Sequence, residues 1–359
     1  MISALAFGFA DIYFPLKNYS FERLHIFLFN LCTGGTIILY YTEENKKMSI
    51  TVRVFFTSSL IYTLSAFFEL YPVTIIASFF LFGIAEKVRI KKFSFFPWNF
   101  FKKQTPVSEK FHQASLLCLS IAVIMGSAVI LNNEYLNLVN IEKLKLNTFF
   151  LGFSFPLSLI SLSVIFLMLN NIDQALTGII KEICFWTLNL GVIIFFGFIL
   201  FEKLIPQIFI TIALFMAVLT VFFLHKKHAE NIQQKQFLSS GIGFLAAASI
   251  TGMIYIFMEM SRGYDPVKVK WILHLHVFAS LYGWNLCGLA VICRFNDFPI
   301  KINSRSLIFV HWMTAVALAP LGVFYGTFAV LAVAGYVFII FAIFFSKSYS
   351  DFATTDLIN

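Results

Sequence analysis

Charge is scarce in this 359-residue chain: 12% of its residues are Asp, Glu, Lys or Arg, where a soluble globular chain carries roughly 25%. That shortage removes the polar shell that would wet a water-soluble domain. One large soluble core is excluded too, because such cores stop growing at about 250–300 residues and are interrupted by polar faces. The motifs of soluble catalysis are missing: there is no P-loop, no G-x-S-x-G elbow, no H-E-x-x-H and no dinucleotide-binding glycine fingerprint. Cysteine is sparse and unpatterned. Cys32, Cys118, Cys184, Cys287 and Cys293 all fall in apolar stretches without C-x-x-C spacing, which reads as packing rather than disulfide or zinc chemistry. The first sixteen residues lack a basic n-region and Asp11 interrupts their apolar run, so no cleavable signal is expected. Neither a repeat nor a low-complexity block divides the chain, and residues 1–359 read as a single helical domain.

What is abundant is apolar, with 59% hydrophobic residues including 47 Phe. A helix that crosses hydrocarbon needs roughly 20 mostly apolar residues, since it must satisfy its own backbone hydrogen bonds there. Eleven such runs occur, at about 23–41, 52–70, 72–88, 114–132, 148–169, 183–201, 205–224, 237–258, 271–293, 306–325 and 327–345. The expected fold is all-α: a polytopic integral membrane bundle of eleven transmembrane helices, with the lipid bilayer as its main partner. Residues 1–16 are a short apolar segment reaching roughly 24 Å as a helix. They form either an abbreviated twelfth span turning at Pro15 and Lys17 or a segment lying in the outer interface. The formal charge of +8 does not point to nucleic acid, because the cations sit between apolar runs.

Their placement sets orientation. Of the 26 cations, 18 fall on one side of the eleven runs, and Lys/Arg-rich loops face the cytoplasm. The C-terminus and the 89–113 loop are therefore expected inside, in a cell membrane such as a bacterial inner membrane. That loop interleaves Lys91, Lys92, Lys102 and Lys103 with Phe93, Phe95, Phe96, Trp98, Phe100 and Phe101. It reads as an interfacial segment, with rings at headgroup depth and cations on anionic lipid; a docking motif for a soluble protein is the other reading.

Ionisable groups inside a bilayer are costly and are functional candidates by default. Of the seven histidines, His225 and His228 fall in a Lys-rich inner loop and are expected to be solvated. His112 starts a helix at the inner surface, and His311 is expected to hydrogen-bond a neighbour. His25, His274 and His276 remain, all near the outer ends of their helices. Two residues apart on a helix is about 200° of rotation, so His274 and His276 point to opposite sides. They cannot chelate one ion from a regular helix, but each can ligate a different planar cofactor. On the spacing alone, interhelical hydrogen bonds or an aqueous vestibule are the favoured account, since polar contacts between membrane helices are common.

The stretch His274-Leu-His276-Val-Phe-Ala-Ser-Leu-Tyr-Gly283-Trp284-Asn-Leu-Cys-Gly288 resembles the tenth helix of the haem-copper oxidase catalytic subunit, notably the cbb-type branch. Phe21-Glu-Arg23-Leu-His25, followed by Gly34-Gly35, resembles that family's second helix. The resemblance implies that His25 and His276 are the axial pair of a low-spin b-type haem and that His274 is the proximal ligand of a second haem. The order of runs agrees with it, since the first and ninth match the family's second and tenth helices if the first helix is shortened or missing. The departures are specific. Where the family has a His-Pro-Glu copper motif this chain reads Phe149-Phe150-Leu-Gly-Phe-Ser154-Phe155-Pro156, and the run 183–201 has no His-His pair. The spacing to Gly-Trp is also two residues longer. No copper and no oxygen reduction are therefore expected. Electron transfer with a redox partner or membrane subunit, or handling of nitric oxide, is the leading reading. A transporter, motivated by Asn30, Glu69, Glu259, Asn285 and the Gly34-Gly35 pair, is the alternative from another class, and a membrane scaffold acting through the inner loop is the third.

Overall fold

A computed structural model describes residues 1–14, 19–44, 47–169, 175–230 and 232–348, the side chains of 142, 143 and 145–151 excepted. The described residues form helices and connecting turns with no β-strand beyond an isolated bridge between Ile300 and Ser348. In chain order the helices are α1 (Ile2–Tyr13), α2 (Phe21–Glu43), α3 (Ile50–Phe67), α4 (Tyr71–Lys92), α5 (Val107–Leu136), α6 (Glu142–Leu167), α7 (Ala175–Leu200), α8 (Leu204–His228), α9 (Gln233–Glu259), α10 (Pro266–Cys293), α11 (Ser304–Gly322) and α12 (Gly326–Phe345). Among the described residues nine of these, α2, α3, α5 and α7–α12, are long and apolar enough to cross a membrane. The chain has the composition and helices of a polytopic membrane protein.

Four of the helices start at a side chain that satisfies one of their first amides. Ser20 accepts from the Arg23 amide at 3.1 Å at the head of α2, and Ser49 from the Val52 amide at 3.1 Å at α3. Asp265 and Asn303 do the same for α10 and α11. Pro72 and Pro266 occupy first-turn positions, where a missing amide costs nothing. Because caps rather than hydropathy end a helix, several helices outrun their apolar cores. The segment at 89–113 is accordingly narrower than its composition suggests: α4 continues to Lys92 and α5 begins at Val107, leaving 93–106 with one short 3₁₀ turn at Trp98–Phe100. The expected turn at Pro15 and Lys17 lies outside the described residues.

The chain divides into two compact units. The first is made chiefly of residues 3–163, α1 to α5 with most of α6; the second of residues 164–195 and those from 204 onward. In the first, Phe27 packs edge-on against Tyr62 and Phe153, with centroids 5.2 and 5.3 Å apart. In the second, Trp284, Tyr282 and Tyr336 are the largest fully buried rings.

One polar knot in the first unit is a stability determinant. The Arg89 guanidinium, 2% exposed, donates to both Glu86 carboxylate oxygens at 2.9 and 2.6 Å and to the carbonyls of Ser94 and Phe95 at 2.9 and 2.8 Å. Ser120 donates to Glu86 at 2.6 Å. Removing one partner of a buried pair leaves an uncompensated charge, which costs about 3–5 kcal/mol. Glu86→Ala is expected to lose about that much, read as a lower unfolding midpoint in mixed micelles; an unchanged midpoint would rule this role out.

Candidate functional site

His25 lies one turn into α2 and is buried at 8% exposure. Its Nδ1 stands 2.8 Å from the carbonyl oxygen of Ala4 in α1. A carbonyl can only accept, so the ring carries a proton on Nδ1, and in the neutral imidazole the lone pair resides on Nε2. One turn further along α1 is Gly8, where a Cβ would come within 2.9 Å of His25 Nδ1. The glycine is the gap that lets the imidazole lie against the α1 backbone. The N-terminal apolar segment therefore supplies both an acceptor and a cradle.

The second unit repeats the arrangement. His276 Nδ1 stands 2.8 Å from the carbonyl oxygen of Ala248 in α9. Gly252, again four residues beyond that carbonyl, faces the ring, and a Cβ there would lie 3.3 Å from Cε1 and Nδ1. His276 sits ten residues into α10, deeper than its apolar run suggests, because Asp265 and Pro266 start the helix early. His274, on the same helix, keeps a buried Nε2 with no hydrogen-bond partner among the described residues. A buried ring nitrogen in that condition needs an explanation.

α2 and α10 are the most enclosed of the nine apolar helices, each with 78% of its most apolar stretch buried. Both widen into π-turns directly after the histidine: Phe27–Gly35 follows His25 by two residues and Phe278–Asn285 follows His276 by two. Two further π-segments occur among the described residues: Met313–Leu318 follows His311 at the same interval, and Asn132–Leu136 closes α5 with no histidine ahead of it. Single π-turns cluster at functional sites. In the sequence they are marked only by Gly34-Gly35 and Gly283.

The remaining histidines have other partners, although His225 shares with His274 a buried Nε2 that has no hydrogen-bond partner among the described residues. Thr42 spends its only proton on the Ile38 carbonyl at 2.7 Å, so the 2.8 Å contact to His112 has the His112 Nε2–H donating. His112 is thus buried against α2. His311 donates from Nε2 to the Tyr282 carbonyl at 2.6 Å, as expected of a structural histidine, and its Nδ1 accepts from the Cys287 thiol at 3.6 Å. His225 corrects the sequence reading. It is fully buried rather than solvated, with Nδ1 3.3 Å from Ser239 Oγ, because α8 continues through His228 and carries it inward. Glu69 is an exposed left-handed residue (φ 59°) in the turn between α3 and α4.

Among the hydrogen bonds to backbone carbonyls, His25 and His276 share one tautomer and His311 has the other. His25 belongs to the first unit, His274 and His276 to the second. No group of three or more His, Cys, Asp or Glu side chains suited to a metal ion occurs among the described residues. Axial ligation of haem asks only for single imidazoles. No family model, curated protein or solved structure matches this chain.

Proposed function

We propose that the protein is an integral membrane haem protein that binds b-type haem through His25 and His276, with His274 as the ligand of a second haem. One observation carries this reading: both imidazoles donate Nδ1–H to a helix carbonyl, of Ala4 and of Ala248, across a glycine one turn further on. Metal-bound histidines almost always donate their other ring N–H to a fixed acceptor, which sets the tautomer and the ring plane and makes the ligand more basic. The orphaned, buried Nε2 of His274 fits the second assignment. Bound haem would supply an iron centre for one-electron chemistry or for a diatomic gas. The chain's own residues would hold the imidazoles in place, and apolar helices would limit access of water.

Electron transfer with a redox partner or membrane subunit, or handling of nitric oxide, is the activity we infer. Copper has no place in the reading, since the sequence carries no counterpart of the copper motifs. The fold we propose is that of a haem-copper oxidase catalytic subunit. It would have eleven spans, α4 and α6 joining the nine apolar helices, with α1 as an abbreviated twelfth and the C-terminus cytoplasmic. The protein purified after expression with ample haem supply is expected to show a Soret band and a b-type pyridine haemochrome. A spectrum without a Soret band would end the proposal.

A further inference from the structure

The segment after α4 has a shape that the haem reading does not use. From Lys87 to Ser108 the chain has six cations and no acidic residue. Its start is pinned, because the buried Arg89 holds the carbonyls of Ser94 and Phe95 from below. Its far end is pinned by Phe100, buried at 8% exposure, and by Val107 at the head of α5. Between those anchors four large rings point outward: Phe95, Phe96, Trp98 and Phe101 are 57–70% exposed. Phe95 and Phe96 meet edge to face at 4.9 Å and Phe96 lies 6.0 Å from Trp98, so these three rings form one ridge. Lys91, Lys92, Lys102 and Lys103 are exposed on either side of it; Lys92 pairs with Glu44 at 2.5 Å, and the other three have no ion pair among the described residues.

We infer that this ridge is a binding surface for anionic phospholipid, with the rings seated at headgroup depth and Lys91, Lys102 and Lys103 gathering phosphate-bearing lipids around the protein. Three features favour lipid over a soluble partner. The ridge is continuous with α4 and α5, so a bilayer crossed by α5 reaches it without any approach step. Indole and phenyl rings beside lysine stems are the side chains that settle at a membrane–water boundary. The charge is of one sign, and attraction to an anionic leaflet is worth a few-fold in local concentration for each lysine near the surface. The Arg89 clamp adds preorganisation, because the carbonyls behind the ridge are tied before lipid arrives.

The full-length protein can be placed in phosphatidylcholine nanodiscs containing a small, equal mole fraction of either brominated phosphatidylglycerol or brominated phosphatidylcholine. Quenching of the Trp98 fluorescence is obtained as the difference between wild type and Trp98→Phe. The brominated anionic lipid is expected to quench that component about three-fold or more beyond the zwitterionic one, consistent with a few-fold attraction per surface lysine. Lys91→Gln/Lys102→Gln/Lys103→Gln, three exposed positions whose neutralisation leaves the core untouched, should bring the two lipids level while Trp98 remains quenched by both. Salt at about 1 M, where charges are screened beyond about 3 Å, should do the same in wild type. Equal quenching by the two lipids in the wild type at low salt would overturn the lipid preference. A Trp98 component quenched by neither would place the ridge in water and favour a soluble partner.

Discussion

Replacing His25 or His276 with Ala is expected to remove low-spin haem from the purified protein, with loss of the sharp reduced α-band and a drop of at least tenfold in the haemochrome assigned to that site. The argument begins with the lone pair. With Nδ1 committed to Ala4 or Ala248, Nε2 is the only ring nitrogen that can donate electrons to iron. A methyl group offers none. His274→Ala should leave the low-spin band and reduce only a high-spin component. Gly8→Val is the more searching variant, because it keeps the imidazole but drives a side chain into the space 2.9 Å from Nδ1. Disturbing an outer partner of a metal ligand costs 10–100-fold in affinity, so haem retention should fall by that factor with helicity unchanged. A Gly8→Val protein as haem-replete as wild type would show that the α1 cradle does not orient the ligand. Full haem content in His25→Ala and His276→Ala alike would remove both from the ligand set.

The second large effect is structural and independent of any cofactor. At Gly283, inside the π-turn of α10, a Cβ would sit 2.5 Å from Cγ and Cδ1 of Phe244. Phe244 has nowhere to go: its ring stacks on Trp312 at 3.9 Å and 12°, and His311 lies 4.8 Å away. Trp312 is held in turn by a 3.0 Å bond from Nε1 to Ser240. Overpacking a rigid contact costs about 1–3 kcal/mol, so Gly283→Ala should lower the midpoint of thermal unfolding by several degrees. Phe244→Leu in the same chain should recover part of the loss, because the clash and the ring are one interaction. An additive double variant would mean that the α9–α10 contact is looser than the distances state.

Much of the fold was legible because hydrocarbon imposes a length and a backbone rule that apolar runs obey directly, and each of the eleven runs coincides with a helix. What the runs could not disclose is where a helix stops. The Pro106 start of α5 and the Asp265 cap of α10 lie outside the apolar cores, and both move histidines inward relative to their helix starts. His225 shows the same blindness: beside Lys226 and Lys227 it reads as solvated, yet the face of α8 that bears it turns toward Ser239. At the candidate site, composition pointed to His25, His274 and His276. It could not show that Ala4 and Ala248 receive their protons, since a backbone acceptor leaves no trace in residue identity. Gly8 and Gly252 carry no mark either, because a glycine under a ring looks like any other glycine until the ring is in place.

The acceptor for His25 lies only 21 residues before it and that for His276 only 28 residues before it. Each imidazole can therefore be aimed by its own neighbouring helix pair as soon as that pair is inserted, since contacts close in sequence form early. The orientation of each ring is thus set within its own unit of the chain and does not wait for any ligand.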